Sequence, residues 1–579
     1  MTTDRAAVAR VLDQIADHLE LKGENPFRIR AFRSSARVVS GLSAEPAEML
    51  ADGTLAEVRG VGPAILSVIR DLVERGRSRV LEELRDQISP GLVEMLGISG
   101  LGVAKVRGIH QRLGIDSIPE LEAAARDGRL AALPGFGPKT AENVLRGIGY
   151  LRRASTHRLC HHAAEEAERL RKALEHVAGV SRALVAGEVR RRCELVGEIV
   201  LVLVAEVPPV EVFRALSQLP GVDEFGGQDE RRASLQFAGG EAAQIVVNPP
   251  VNLGAVLLHA TGSGAHLAQL VAFAEAQGLA LQGAALWRGS EFVPTPDEET
   301  VYRALGIPWI PPELREGLDE LELARRGALP RLLEPGDLAG LLHCHTEYSD
   351  GTGTVRELAL ACRMAGYGYV GITDHSGAAA FAGGLAVEEV ERQWAEVDAV
   401  NAELEGVRVL KGIESDILAD GGLDYDETTL ARFDFVIGSI HSRLGMDGGR
   451  MTARVLRALE HRCLTILGHP TGRLLLTRDP YPIDLDAVFA KAAEQGVAIE
   501  INADPERLDL DWRVLRRARS RGVLISVGAD AHNVAGLSNV TWGVGIARKG
   551  GLGPGDILNT RPVEEFLAFA RRRREVAAR

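Results

Sequence analysis

The spacing of apolar residues divides the chain into stretches of different character. From residue 1 to about 150, apolar residues recur at helical spacing, as over 6–21, which predicts a helical region. From about 155 to 315 the pattern is mixed, and the centre of the chain is expected to combine helices with a sheet. The predicted helices there are 161–178 and 264–277, and the predicted strands are 183–186, 198–205, 233–237 and 244–248.

Beyond residue 336, short apolar runs alternate with helical stretches. This alternation is typical of parallel strands joined by crossover helices, and seven units favour a closed barrel over an open sheet. The charged segment 316–335, interrupted by Pro330 and Pro335, is predicted to be a linker that leads into the barrel. The seven predicted strands are 339–342, 368–372, 407–410, 435–440, 464–467, 498–501 and 523–527.

A Gly-apolar-Gly pattern occurs three times in the first 150 residues, each time before a helix-forming run, and so forms an internal repeat. The segments resemble helix-hairpin-helix motifs, in which the turn and the following helix N-terminus offer backbone N–H groups to a DNA phosphate without reading sequence. The alternative is a plain helical hairpin without a ligand. The DNA-binding candidates are Gly60, Gly62, Gly100, Gly102, Gly135, Gly137 and Lys139.

Polar side chains capable of binding metal follow nearly every predicted strand of the barrel. Six of the seven histidines beyond residue 340 come just after a strand, and only His461 does not. Because all such positions open on the same face of a parallel barrel, these histidines and the neighbouring carboxylates predict a metal site. His343 and His345 are two residues apart on chain expected to be extended, so both are predicted to point to one side, and Asp530 and His532 likewise.

These strand-end motifs resemble the PHP (polymerase and histidinol phosphatase) family of phosphoesterases. The resemblance implies nine ligands, which suit two or three divalent ions, with Mn²⁺ favoured, Zn²⁺ as the alternative, and phosphoester hydrolysis as the reaction. Cys344 lies between two ligands and is expected to face away from them. The implied ligands are His343, His345, Asp350, His375, Glu414, His441, His469, Asp530 and His532.

Two arginines in the same loops are candidates for catalysis. Arg473 and Arg507 each follow a strand-end motif, and a guanidinium there can hold a substrate phosphate. The alternative interpretation is that each forms a salt bridge at the rim of the barrel.

Composition and charge indicate the cellular compartment and the kind of partner to expect. The net charge of −13, from 67 basic and 80 acidic residues, argues against a simple nucleic-acid coat but allows local binding to DNA. The five cysteines form no CxxC pair, which fits a reducing compartment. With no apolar signal core and no long uncharged apolar run, we expect a cytoplasmic, nucleoid-associated protein that does not contact a membrane.

The order of these regions resembles the bacterial PolX family, the family X DNA polymerases with a C-terminal PHP domain. The resemblance implies a multidomain fold: a helical helix-hairpin-helix region, an α/β nucleotidyltransferase-like palm with a thumb, and a C-terminal (β/α)7 PHP barrel. The predicted domains are an N-terminal domain at 1–85, fingers at 86–150, the palm at 155–248, the thumb at 251–315, the linker at 316–335 and the PHP domain at 336–579.

The palm departs from the family pattern at the positions that matter for polymerisation. Glu188 replaces a family serine, Glu198 and Val200 stand at the Asp-x-Asp positions, and Gln244 replaces the third aspartate. Two-metal nucleotidyl transfer, which uses Mg²⁺ in an active family member, needs carboxylates that bridge the ions. The polymerase site is therefore predicted to be inactive.

The leading hypothesis is a DNA repair protein that acts as a metal-dependent 3′-5′ exonuclease on gapped or 3′-ended DNA without sequence specificity. The alternatives are an active gap-filling polymerase with PHP proofreading, a non-catalytic DNA-binding scaffold and a small-molecule phosphatase. The triple hairpin argues against the phosphatase, and the complete ligand set argues against the scaffold. The sequence identifies no protein partner.

Overall fold

The computed structural model of the protein divides the chain into two compact units, residues 1–156 and residues 157–579. The part of the chain that it describes comprises residues 5–40, 42, 44–58, 60–98, 100–219, 221–227, 229–237, 242–282 and 284–576. Within these ranges, no helix combines the length and the apolar character needed to cross a membrane.

The first unit is helical, as predicted. One apolar core gathers around Leu12, Leu19 and Ile69, and a second around Met95 and Val106. The helices are α1 (Arg5–Lys22), α2 (Pro26–Ser40), α3 (Pro46–Ala51), α4 (Pro63–Arg75), α5 (Arg79–Arg85), α6 (Pro90–Met95), α7 (Val103–Leu113), α8 (Ile118–Arg126) and α9 (Pro138–Thr156), with a 3₁₀ turn at Thr54–Glu57.

Each Gly-apolar-Gly segment forms the turn that leads into α4, α7 or α9. The first glycine of each segment lies in the left-handed region, with φ of 102° at Gly60, 84° at Gly100 and 83° at Gly135. A side chain at those angles would be strained, so the repeat specifies one backbone conformation three times. The predicted helical hairpins are therefore present.

The second unit begins with a mixed sheet in which the strands are ordered β2-β4-β7-β6-β5. The predicted strands are confirmed, with ends that shift by one to three residues. The elements are β1 (Arg158–Leu159), α10 (Cys160–Leu174), β2 (Val180–Ala186), α11 (Gly187–Arg190), β3 (Leu195–Val196), β4 (Ile199–Ala205), α12 (Pro209–Leu216), β5 (Val222–Gly227), β6 (Arg232–Phe237) and β7 (Ala242–Asn248).

A small helical layer with a three-stranded antiparallel sheet follows. Its elements are α13 (Leu253–Thr261), α14 (Gly264–Glu275), β8 (Leu279–Gln282), β9 (Ala285–Arg288), β10 (Glu291–Val293), α15 (Glu298–Ala304) and α16 (Glu320–Arg325). The segment 316–335, predicted to be a linker, contains α16, and Glu320, Leu332 and Leu333 in it are buried. Glu320 pairs with the buried ring of His266, so part of its charge lies inside the fold. The domain boundaries stay predictions.

The C-terminal part is a closed parallel barrel of seven strands, as predicted. The strands are β11 (Gly340–Cys344), β12 (Tyr369–Ile372), β13 (Arg408–Asp416), β14 (Phe435–Ser439), β15 (Ile466–Leu467), β16 (Ala498–Asn502) and β17 (Ile525–Ala531). The helices around them are α17 (Val355–Met364), α18 (Val387–Glu403), α19 (Glu427–Leu430), α20 (Gly448–Leu459), α21 (Leu485–Gln495), α22 (Trp512–Ser520), α23 (Val540–Lys549) and α24 (Val563–Val576).

Candidate metal centre

The strand ends of the barrel bring all nine predicted ligands together, a set we call the barrel site. Their side chains form four overlapping groups, and within each group the ligand atoms lie within 4.8 Å of one another. The groups are His345, Asp350, His375 and His532; His343, His345 and Asp530; His343, Glu414 and His469; and His375, Glu414 and His441. Because the groups share residues, the arrangement suits several ions held by bridging ligands.

Glu414 lies at the centre of the barrel site. Its Oε1 is 2.9 Å from Nε2 of His469 and 3.3 Å from Nε2 of His343, and its Oε2 is 2.9 Å from Nδ1 of His375. Asp530 approaches the same rings from β17, with Oδ1 3.2 Å from Nε2 of His345. All of these side chains except that of Asp530 are at least 94% buried, whereas His532 and Asp350 at the edge of the site are 38% and 33% exposed.

The backbone that aims these ligands is not the regular extended chain predicted from the sequence. His343 has φ of 61°, Asp530 has φ of 47° and His469 has φ of 21°, all in the left-handed region. The pairing of β11 with both neighbours shifts at the same point, as in a β-bulge. The rings of His343 and His345 still lie close together, with centroids 5.3 Å apart. Such strain at polar residues is typical of functional sites.

Burial and charge act in opposite directions on the groups of the barrel site. Burial lowers the pKa of His345 and His469 and favours their neutral rings. Burial alone would also lower the pKa of His375, but the charge of Glu414 and the hydrogen bond to Asp350 raise it to about 10. Burial would raise the pKa of Glu414, yet the surrounding histidines hold it well below the ordinary value. The site thus keeps its carboxylates ionised although they are buried.

The donor set of the barrel site fits divalent metal ions. Both ring nitrogens of His345 and Nδ1 of His469 are buried and have no hydrogen-bond partner of suitable geometry among the described residues, and burial favours the neutral form of both rings. Leaving buried polar atoms without partners is costly, and a neutral imidazole nitrogen with a free lone pair is a metal ligand. Cys344, between His343 and His345, packs into the apolar core instead, as predicted.

Three residues that support the ligands belong to the strand-end motifs of the sequence but were not assigned a role from it. Glu500 accepts a hydrogen bond from Nδ1 of His343 at 2.6 Å, and Asp416 accepts one from Nδ1 of His441 at 2.6 Å. Asn502 donates from Nδ2 to Asp530 at 2.9 Å. Such partners fix the orientation of a ligand. All three stand at the ends of predicted strands, which is the signal that could have identified them.

The two arginine candidates lie in different environments. Arg473 is buried, with 6% of its surface exposed. Its Nε donates to the carbonyl of Arg507 at 2.9 Å. One terminal nitrogen donates to Asp511 at 2.8 Å, and the other donates to the carbonyl of Leu508. Its donors therefore hold the loop after β16. Arg507 is closer to the ligands, with Nε 3.5 Å from Oδ2 of Asp530. The predicted catalytic role of both stays a prediction, and this geometry favours Arg507.

The palm positions predicted to be degenerate come together as the alignment requires. Val200 on β4 pairs with Gln244 on β7, and both line a cavity of about 340 Å³ together with Glu198. The carboxylate of Glu188 accepts a hydrogen bond from the backbone N–H of Gly197 at 2.7 Å. Among the described residues, no metal-binding group of histidines, cysteines and carboxylates occurs in this sheet.

The neighbouring charged residues of the palm are engaged in packing. Glu194 accepts hydrogen bonds from Nε1 of Trp512 and from Arg513 on the barrel, so it is not available to the cavity. Arg190 makes a two-pronged contact with Glu298, and Arg191 contacts the carbonyl of Thr261 at 2.7 Å.

The candidate DNA-binding turns of the first unit are open. A methyl group added at Gly62, Gly100, Gly102, Gly135 or Gly137 would meet no atom within 4 Å. Lys139, at the start of α9, is exposed. The turns and helix N-termini are therefore accessible to a large ligand.

Comparisons with known proteins agree with this architecture. The sequence matches family models of a helix-hairpin-helix domain over 3–78, a SAM-like helix-hairpin-helix tandem over 92–149, a DNA polymerase beta thumb over 256–316 and a PHP domain over 342–504. It is 34% identical over 569 residues to the DNA polymerase/3′-5′ exonuclease PolX of Bacillus subtilis (strain 168), covering 98% of this chain and 99% of the relative. A probable phosphatase of Thermoanaerobacter sp. (strain X514) is 30% identical over 183 residues, 30% of this chain and 72% of that protein.

Proposed function

This chain belongs to the PolX family of DNA polymerase/3′-5′ exonucleases, and we propose that it degrades DNA from 3′ ends at the barrel site while its polymerase site is inactive. The observation that carries the proposal is the convergence of nine imidazole and carboxylate ligands, several with unpartnered buried nitrogens, at one end of the barrel. The substrate is DNA with a free 3′ end, including the end at a gap.

The nine residues of the barrel site would hold two or three divalent ions, because imidazole and carboxylate ligands without thiolate favour Mn²⁺ or Zn²⁺ over Ca²⁺. Mn²⁺ is the ion we propose, with Zn²⁺ as the alternative. When bound, such ions lower the pKa of a water molecule and neutralise the phosphate. Glu500 and Asp416 orient the rings of His343 and His441, and Arg507 supplies positive charge beside Asp530 for the substrate phosphate.

The first unit holds the DNA. Its three hairpin turns present glycine backbone and helix N-termini to solvent, a geometry suited to phosphates of the backbone and indifferent to sequence. The thumb-like region and the retained palm sheet would help to position the duplex. DNA binding by the hairpins also favours a nuclease over a small-molecule phosphatase.

The palm serves as a scaffold in this proposal. Glu198 alone cannot bridge two ions, Val200 offers no ligand, and Gln244 is neutral. A shifted register would bring Glu194 or Glu206 to the site, but Glu194 is committed to Trp512 and Arg513. If the polymerase were active after all, Mg²⁺ would have to bind with Glu198 as the only palm carboxylate at the aligned positions.

A degradation assay tests the proposal. Purified protein with Mn²⁺ should shorten 5′-labelled single-stranded DNA one nucleotide at a time, and a phosphorothioate linkage at the 3′ end should slow it. The double variant His343→Ala/His345→Ala should lose the activity, whereas His461→Ala, a barrel histidine outside the site, should retain it. Wild-type protein that leaves DNA intact with Mn²⁺, Zn²⁺ and Mg²⁺, or a double variant of full activity, would refute the proposal.

A further inference from the structure

An exposed aromatic ring stands beside the barrel site. Phe381 is 74% exposed, although a phenyl ring normally gains from burial. Its ring centroid lies 6.0 Å from that of His375 and 5.8 Å from that of His441, both of them proposed ligands. Among the described residues of the barrel, the other exposed large apolar side chains are Met364 (86% exposed) and Val534 (44% exposed), neither of them aromatic.

The loop that carries Phe381 is held in place, so the exposure is built into the fold. On either side of the 3₁₀ turn Ala380–Ala382, Ala379 and Leu385 are fully buried and anchor the loop. Leu385 donates its backbone N–H to the carbonyl of His375 at 2.8 Å, and Ala378 donates to Asp424 at 2.7 Å. Ala379 and Leu385 thus fill the inner side of the loop, and the ring of Phe381 is left on its outer side.

The position and chemistry of the ring indicate a partner. A phosphate bound by the barrel site would bring the attached nucleoside within reach of a ring about 6 Å from two of the ligands. An aromatic side chain stacks on the face of any base, which gives affinity without sequence preference. We propose that Phe381 stacks on the base of the 3′-terminal nucleotide and so positions its phosphodiester at the barrel site, an inference that rests on the proposed exonuclease function.

The kinetic test compares two substrates that differ only in the terminal base. Phe381→Ala should lower kcat/KM about tenfold on a normal 3′ end and have little effect on a 3′-terminal abasic analogue. The kcat/KM of the wild-type protein should be about tenfold lower on the abasic end than on the normal end. On the normal end, Phe381→Trp should have nearly wild-type kcat/KM, and Phe381→Leu should lie between Phe381→Trp and Phe381→Ala. Met364→Ala, which removes another large, exposed apolar side chain, is the control and should change neither rate.

A binding measurement makes the inference independent of turnover. DNA that carries 2-aminopurine at its 3′ terminus behind a non-hydrolysable linkage should lose fluorescence on binding to wild-type protein and recover it with Phe381→Ala. Metal content should be the same in both proteins. The inference would be overturned if Phe381→Ala lowered kcat/KM equally on both substrates or on neither. It would also be overturned if the 2-aminopurine emission of bound DNA were the same with Phe381→Ala as with wild-type protein. Failure of the proposed function appears instead as wild-type protein that binds the 3′ end but does not cleave it.

Discussion

Val200 pairs directly with Gln244 across the parallel strands β4 and β7, and together with Glu198 the two side chains line one cavity of the palm. Two of the positions predicted to lack the polymerase aspartates are therefore adjacent in space, as the inactive-polymerase proposal requires. An aliphatic side chain next to a neutral amide cannot hold two divalent ions. The barrel site, in contrast, gathers nine ligands.

The first prediction concerns metal stoichiometry at the barrel site. The wild-type protein should bind more than one divalent ion per chain. Glu414 belongs to two of the four groups and Asp350 to one, so Glu414→Gln should lose more metal than Asp350→Asn. Elemental analysis after gel filtration measures this, with His461→Ala as a control that keeps the wild-type content. A wild-type ratio of one or below would count against a multinuclear site.

The second prediction separates the two arginines. Arg473→Ala should lower the thermal midpoint, because several buried acceptors lose their donor at about 1–3 kcal/mol each. Arg507→Ala should leave the midpoint nearly unchanged and lower kcat by about tenfold or more, because it removes positive charge from the phosphate position. Arg507→Lys should recover part of the rate. If Arg473→Ala and Arg507→Ala lowered the thermal midpoint and kcat to the same degree, the two arginines would not have the separate roles proposed here.

The third prediction concerns DNA binding by the first unit. Residues 1–156 form a compact unit with their own cores and should bind DNA without sequence preference, more weakly as salt rises. Lys139→Ala should remove about one phosphate contact and so reduce the slope of log affinity against log salt concentration by about one. Lys172→Ala in the second unit should leave that slope unchanged. Removing residues 1–156 should slow DNA degradation more than hydrolysis of a small phosphodiester. Equal slowing of both reactions would show that the unit does not act through DNA.

The fourth prediction concerns a buried carboxylate that joins the palm to the thumb-like layer. Burial alone would raise the pKa of Glu298, but hydrogen bonds from Arg315 and Arg190 lower it to about 2. A carboxylate whose pKa is lower in the folded than in the unfolded protein stabilises the fold at pH values above the unfolded-state pKa. This stabilisation is lost as the pH falls through the folded-state pKa. Glu298→Gln should therefore cost roughly 3–5 kcal/mol at neutral pH, with the difference from wild type shrinking between about pH 4.5 and pH 2.

The measurement for this prediction is the thermal midpoint of wild-type and variant protein across that pH range. Glu299→Gln, at the next and exposed position, is the matched control and should have little effect. If the difference in thermal midpoint between wild type and Glu298→Gln did not change with pH, the charge of Glu298 would not be what stabilises its contact with Arg190 and Arg315.

The sequence was sufficient for the features that depend on periodicity and on strand ends. The seven barrel strands, the three hairpins and the convergence of strand-end histidines and carboxylates follow from alternation, from glycine spacing and from the geometry of parallel barrels. The choice of nine ligands among them came from the resemblance to the PHP family. The bulge at His343 could not be predicted, because it depends on the pairing of β11 with both neighbours. The partners of Arg473 come from a neighbouring loop, and the burial of Glu320 depends on a histidine 54 residues away.

Primer extension on a gapped duplex tests the central claim most directly, with the barrel site disabled by His343→Ala/His345→Ala so that product is not degraded. The account predicts no detectable incorporation of dNTPs with Mg²⁺ or Mn²⁺, while wild-type protein shortens the same primer with Mn²⁺. The reason is that each lost ion removes several kcal/mol of transition-state stabilisation, and about 1.4 kcal/mol is a factor of ten in rate. Template-directed extension that is abolished by Glu198→Ala would contradict the account and show that the palm is an active polymerase.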